Sequence, residues 1–374
     1  MTSSGRGCGK LYLTGEYAVM DPRGIAVIAG VNRYVTATAT QVADPNRDAG
    51  PSRGRVYSKY YPPAGRELVV AGNRAHLVGE QDIVAHAIAA CYELAAAGKF
   101  GAGAGELMAV DVEIFSQLDD AHSGQKYGLG SSGAVAVAVV RAVSAELGVD
   151  LGAEHIFKVA VIASLRAGAA GSFGDIACSS FGGVVLYRRP EPATLAQLLD
   201  QELVEAVAAP WPNLMVESRP DLGGLELLVG WTGTPVKTDV QLAAAGAAAA
   251  TVGPGAPLRM AAQDFVTEVS VLSRQLWQAF SDSDEAAALA ALAANRKLLA
   301  QFAAARGMVI ETPLLADLVA VAVSAGAGAK SSGSGGGDCG IALAGAGVNR
   351  EHIFAGWREV GVQPLEVDLA VNFR

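Results

Sequence analysis

The chain has 374 residues and a mass of 38.1 kDa, is 51% hydrophobic and 17% charged, and has a mean hydropathy of +0.31. That balance excludes a disordered chain, which needs few apolar and many charged residues, and the length suits about two domains. With 28 Lys and Arg against 37 Asp and Glu the net charge is −9, which argues against a general nucleic-acid binder with its basic face and leaves room for a local basic pocket.

Ile25–Ile28 and Tyr34–Thr40 read as strands, the second by β-branched residues alternating with alanine. Gln81–Ala97 is a predicted helix, Leu107–Phe115 a strand alternating through Val110, Val112 and Ile114, and Ser131–Leu147 and Ala153–Ala167 two further helices. Val184–Tyr187 is a short strand, and Pro190 and Pro192 then mark a change of character. Beyond them come the predicted helices Ala193–Ala208, Leu258–Phe280, Glu285–Ala304 and Pro313–Ser324. Thr312 as N-cap and Pro313 at the first helical position mark the start of the last one. Strands are predicted at Leu225–Trp231, Gly340–Leu343 and Glu366–Val371. The reading is an α+β protein of two domains, residues 1–190 and 191–374.

Metal and disulfide signatures are missing from the sequence. Cys8, Cys91, Cys178 and Cys339 lie far apart without a C-x-x-C pair, and five scattered histidines show no ligand spacing. Met1 to Gly9 lacks an apolar signal core, and the longest uncharged stretch, Val240 to Leu258, is broken by Pro254 and Pro257 and too weakly apolar to span a membrane. A soluble, cytoplasmic protein is expected.

Glycine is the informative excess, 45 of 374 residues, about 12%, against a usual ~7%. Part of it is drift, as in Gly101–Gly105 and the alanine run Ala243–Ala250; three clusters stand apart. In Cys8-Gly9-Lys10-Leu11-Tyr12-Leu13-Thr14-Gly15-Glu16-Tyr17 the Walker reading fails, because three residues separate Gly5 from Gly9 and Leu11 occupies the Ser/Thr position. A strand and turn with Lys10 on a solvated edge is the plain alternative. Lys126-Tyr127-Gly128-Leu129-Gly130-Ser131-Ser132-Gly133 matches G-x-G-x-x-G. A dinucleotide fold would need a strand running straight into Gly128, whereas the polar stretch Asp119 to Lys126 intervenes, and a protein kinase would need H-R-D and D-F-G, which are absent. What survives is physical: glycines and serines opening a long helix present free N–H groups and a positive dipole end to an anion. A plain serine cap is the alternative there. The third cluster, Lys330-Ser331-Ser332-Gly333-Ser334-Gly335-Gly336-Gly337-Asp338, lies between a helix and a strand, where a side-chain-poor loop suits close backbone contact with an anion better than a linker would. Gly171-Ser172-Phe173-Gly174-Asp175 sets an aspartate among small residues, either in a pocket wall or as a turn cap.

Together and in this order, the segments resemble the three motifs of the GHMP kinase superfamily, over most of the chain. Gly171 to Cys178 and Val229-Gly230-Trp231-Thr232 extend the match. Tyr17 in place of the His usual in mevalonate kinases, no Pro opening the second motif, and Gly133 where Ala is commoner all suit the branch acting on phosphomevalonate. The resemblance implies the GHMP kinase fold, an N-terminal α/β domain and a C-terminal ferredoxin-like domain with the active site in the cleft between them. It implies transfer of the γ-phosphoryl of ATP, with Mg2+, to 5-phosphomevalonate, and no nucleic-acid or membrane partner. The residues it implicates are Lys10 and Asp175 for catalysis, and Lys126, Gly128, Leu129, Gly130, Ser131, Ser132 and Gly133 for ATP. Ser132 is the favoured Mg2+ ligand; Lys10, Tyr17, Ser332, Gly333, Ser334, Gly335 and Gly336 are expected to bind the acceptor, with Lys330 a further candidate. Mevalonate kinase and diphosphomevalonate decarboxylase chemistry are the neighbouring alternatives, and a ligand sensor on the same fold is the alternative of another class.

Overall fold

The computed structural model of the chain describes residues 2–42, 50–101, 106–234 and 262–370. Two long strands, β1 (Thr2–Thr14) and β2 (Ala26–Gln41), pair antiparallel along nearly their whole length. Elsewhere on β2, β6 (Val110–Ser116) pairs with Val35–Gln41 and β7 (Val184–Arg188) with Ala26–Ala29. β3 (Ser52–Ser58), β4 (Arg66–Ala71) and β5 (Arg74–Leu77) continue the sheet beyond β6, and β8 (Met215–Arg219) continues it beyond β7.

Helices α1 (Ile83–Ala97), α2 (Ser131–Glu146), α3 (Ala153–Arg166) and α4 (Gly174–Phe181) form the packed layer of this lobe. α2 lies directly on β1. A Cβ on Gly7 would overlap the Ala134 carbonyl, so glycine in the strand is what lets the helix settle. Three predicted helices recur here with ends moved by one or two residues, and the predicted strand at Leu107 starts at Val110 instead.

One reading of this lobe is corrected. The predicted helix Ala193–Ala208 is two, α5 (Pro192–Gln197) and α6 (Leu203–Ala208). Leu198 and Leu203 are both buried, and in one continuous helix they would point about 140° apart; the break turns both inward. Beyond Pro190 the chain adds β8 to this sheet, where it pairs with β7 and covers an edge that would otherwise be open.

The second sheet has the order β10 (Gly328–Ser331), β11 (Cys339–Ala344), β9 (Glu226–Trp231), β12 (Gln363–Leu365), all antiparallel. α7 (Ala262–Asp282), α8 (Glu285–Arg306), α9 (Pro313–Ser324) and α10 (Arg350–Glu359) accompany it. α9 opens as expected, the Thr312 hydroxyl accepting from the Leu315 N–H. Leu228, Leu315, Leu318, Ile353 and Trp357 make one core here, and Phe265, Val269, Leu299 and Phe302 of α7 and α8 make another with Ala18.

The strand expected at Glu366–Val371 is also corrected. The ladder is the earlier β12, and residues 366–370 cross to the first sheet. The Asn32 N–H donates to Asp368 O, the Ala370 N–H to Gly30 O and the Gly183 N–H to Ala370 O, at 2.9, 2.8 and 2.6 Å. Leu258 to Ala261 of one predicted helix, all of Val240–Leu258, and Val371 lie outside the described residues. Among those residues no helix is long and apolar enough to cross a membrane.

Candidate active site

β1 delivers Lys10 to the start of α2. Its N–H donates to Leu129 O at 2.8 Å, and its Nζ reaches Gly128 O at 3.5 Å. Gly130 is the N-cap residue, in the left-handed region at φ 78° and ψ 46°, a conformation that favours glycine. A Cβ there would stand 2.9 Å from the Lys10 side chain and 3.4 Å from Asp175 Cβ, so the bare glycine makes room for both charges. α2 therefore begins on glycine, not on a serine cap. Ser131 is half-buried and Ser132 exposed, and no hydrogen bond ties either hydroxyl to another described residue.

Asp175 stands in the first turn of α4, where a Cβ on Gly133 would lie 2.7 Å from its Oδ2. Burial pushes its carboxyl above the ordinary value, against the pull of Lys10 and of the N–H groups of Ile176, Asp175 itself and Gly133. The carboxylate thus touches the N-terminal turns of two helices and faces one lysine.

From the second sheet, the loop after β10 meets this cluster at Gly333, where a Cβ would lie 3.8 Å from Lys10 Nζ. Ser334 O accepts from the Tyr17 hydroxyl at 2.6 Å, and burial pushes that phenol up. The rest of the loop is turned to structural use. Ser332 is buried with its hydroxyl on Tyr12 O at 3.0 Å, Gly335 packs on Ile310, and the Gly336 N–H donates to Ile310 O at 2.7 Å. Asp338 closes over Gly128, leaving no room for a side chain there.

Two lysines stand apart from the cluster. Lys126 is exposed, its Nζ 5.5 Å from the centroid of Tyr60, at the rim. Lys330 is 0% exposed and paired with the equally buried Glu16; a buried carboxylate needs a cation, and that removes Lys330 from any ligand. Cys8 and Cys339 are both buried, and burial pushes the Cys339 thiol up, the signature of an inert thiol. A cavity of about 470 Å³ on the first sheet, lined in part by Tyr57, Lys59, Glu113 and Phe115, shares no residue with the cluster.

Sequence reading did not single out Tyr12, Ser172, Tyr187 or Glu16. For Tyr12 a signal was present: strand positions two apart share a face, so a strand through Lys10 puts Tyr12 beside it. Glu16 and Tyr187 carry no such mark, because their partners, Lys330 and Ser172, are distant in the chain.

The family described as GHMP kinases N terminal domain matches residues 85–183, and GHMP kinases C terminal matches residues 284–363. Phosphomevalonate kinase of Streptomyces sp. (strain CL190) is 34% identical over 379 residues, covering 97% of this chain and 96% of that protein. Among solved structures, a Lin0012 protein from Listeria innocua superposes with a TM-score of 0.85 at 29% identity, over 99% of this chain and 98% of that one. Streptococcus pneumoniae phosphomevalonate kinase, solved in complex with phosphomevalonate and AMPPNP, shares the fold with a TM-score of 0.78 at 24% identity over 98% and 99%. Near-complete coverage at 34% identity, over a site assembled from the expected motifs, decides the membership: the chain belongs to the phosphomevalonate kinases of the GHMP kinase family.

Proposed function

We propose that the chain transfers the γ-phosphoryl of ATP to the phosphate of 5-phosphomevalonate, giving 5-diphosphomevalonate and ADP. The observation that carries this reading is the place of Lys10, one cation lying across the glycine start of α2 with its ammonium turned to the Gly333 loop of the other sheet. Phosphoryl transfer is mostly positioning and charge neutralisation, and on a chain of net charge −9 two polyanions need such a local cation.

In this reading the amides of Gly130, Ser131, Ser132 and Gly133, with Gly128 and Leu129 ahead of them, cradle the ATP phosphates, and Lys126 assists from the rim. Gly333, Ser334 and Tyr17 border the acceptor side, and Ser332, Gly335 and Gly336 hold that loop in shape. An oxygen of the acceptor phosphate attacks the γ-phosphorus while the bond to the β-phosphate oxygen breaks and ADP leaves. Lys10 stabilises the charge spread over the transferring group. Mg2+ fits the donor set: Ser132 offers an exposed hydroxyl, the kind of side chain that holds the ion beside the phosphates at other nucleotide sites. Among the described residues no group of three or more His, Cys, Asp or Glu stands ready to hold a metal unaided. Ser132 would hold the ion together with ATP, and the chemistry supplied there would be neutralisation of phosphate charge.

Asp175 orients Lys10 and the two helix starts. The acceptor is a phosphate monoester with a second pKa of about 6, already ionised at neutral pH, so it needs little from a base. Mg2+-ATP offered with mevalonate, 5-phosphomevalonate and 5-diphosphomevalonate in parallel tests the whole reading. ADP release with 5-phosphomevalonate alone, without CO₂, is expected; turnover of either other acceptor instead, or of none, overturns it.

A further inference from the structure

Lys10 and Tyr12 leave β1 on one face, and the Lys10 ammonium lies 5.4 Å from the centroid of the Tyr12 ring. Tyr12 is 8% exposed. The Tyr12 hydroxyl meets the Ser172 hydroxyl at 3.2 Å and stands 2.6 Å from where a Cβ on Gly174 would be. From the other side, the hydroxyl of the fully buried Tyr187 donates to Ser172 O at 2.7 Å. Ser172 is thus gripped by tyrosines of β1 and β7, three residues ahead of Asp175. Between them Phe173 sits at φ 62°, a conformation a bulky side chain keeps only where its surroundings impose it.

We propose that Tyr12 is the positioning residue of this site: its ring fixes the Lys10 ammonium, and its hydroxyl, through Ser172, fixes the loop that launches Asp175. A lysine side chain is long and freely rotating, and the hydrogen bond of Nζ to Gly128 O is long at 3.5 Å. The face of a desolvated ring attracts and localises such a cation. Because one residue holds both halves, Lys10 and Asp175 stay in register with each other and with the start of α2. Burial pushes the Tyr12 phenol up. The inference rests on the kinase reading of the same site.

A double-mutant cycle tests it, reading kcat, both KM values and thermal unfolding for Tyr12→Leu, Lys10→Met and the pair. Tyr12→Leu is expected to lower kcat roughly tenfold with both KM values within about threefold. In the Lys10→Met background the ring has no cation left to hold, and only the hydroxyl's share, about threefold, is expected to remain. A second tenfold loss in the double variant, or an effect on KM alone, overturns the proposal. Tyr12→Phe keeps the ring and answers even where the leucine variant does not fold. It is expected to lower kcat about threefold, an effect that vanishes in a Ser172→Ala background; full wild-type activity in Tyr12→Phe overturns the hydroxyl's part. Wild-type protein that does not turn over 5-phosphomevalonate fails the functional reading instead, and an active wild type with additive variants fails only the role of Tyr12.

Discussion

Lys10 and Lys330 are both lysines of glycine-rich motifs, and each stands within reach of a carboxylate. Lys10 is half-buried, lies against Asp175 and the mouth of α2, and is held by a ring and a long hydrogen bond. Lys330 is completely buried, pairs with Glu16 across the two sheets, and also donates to its neighbour Ser331 O. The first cation has unused capacity directed at the Gly333 loop; the second is consumed by its partner. Availability for chemistry is therefore set by what already neutralises a charge, and a motif does not reveal that.

The contrast is easiest to break at its strong end. Lys10→Ala is expected to lower kcat about 10³-fold with little change in melting temperature; a loss below tenfold would move charge stabilisation to another group. Lys330→Met reverses the pattern. It strands Glu16 as a buried charge and is expected to cost roughly 3 kcal/mol or more of stability by denaturant unfolding. Adding Glu16→Gln is expected to restore most of it, and failure of that rescue would mean the pair is not what Lys330 contributes.

Asp175→Asn sharpens the comparison through pH. Its expected loss of kcat, about 10²-fold, applies at every pH and leaves the acid limb near the acceptor's own pKa of about 6. Rescue at high pH would restore the base role. Stability moves the other way. A folded-state pKa raised above the unfolded value means that ionising Asp175 destabilises the fold as pH rises through it. The Asn variant is expected to melt higher than wild type at neutral pH, with the gap closing as the medium is acidified into the ordinary carboxylate range. Smallest of all, Lys126→Ala should raise the KM for ATP by no more than about threefold, because an exposed lysine is screened by water.

The sequence exposed what is local. Segment length, composition and start signals found α1, α2, α3 and α9, and the glycine clusters marked the start of α2 and the loop facing it. The meander β3–β5 went unread because Ser52–Ser58 interleaves its few apolar residues with Arg and Gly, which resembles a loop until β4 and β6 pair with it. The division of the acceptor loop was equally hidden. Gly333 faces Lys10 while Gly335 and Gly336 face Ile310, a difference set by a residue more than twenty positions away.

The crossing of residues 366–370 to Gly30 and Gly183 has a consequence for how the molecule is made. A chain emerging from its N-terminus completes β1 to β8 long before this segment exists, so the first lobe waits with three backbone groups, the Asn32 and Gly183 N–H and the Gly30 carbonyl, unsealed. Contacts so distant in sequence form late and slowly, and a half-made sheet is exposed to wrong partners in the interval. Unfolding should accordingly run through both lobes as one cooperative event, begun by whatever frees Ala370 from Gly30.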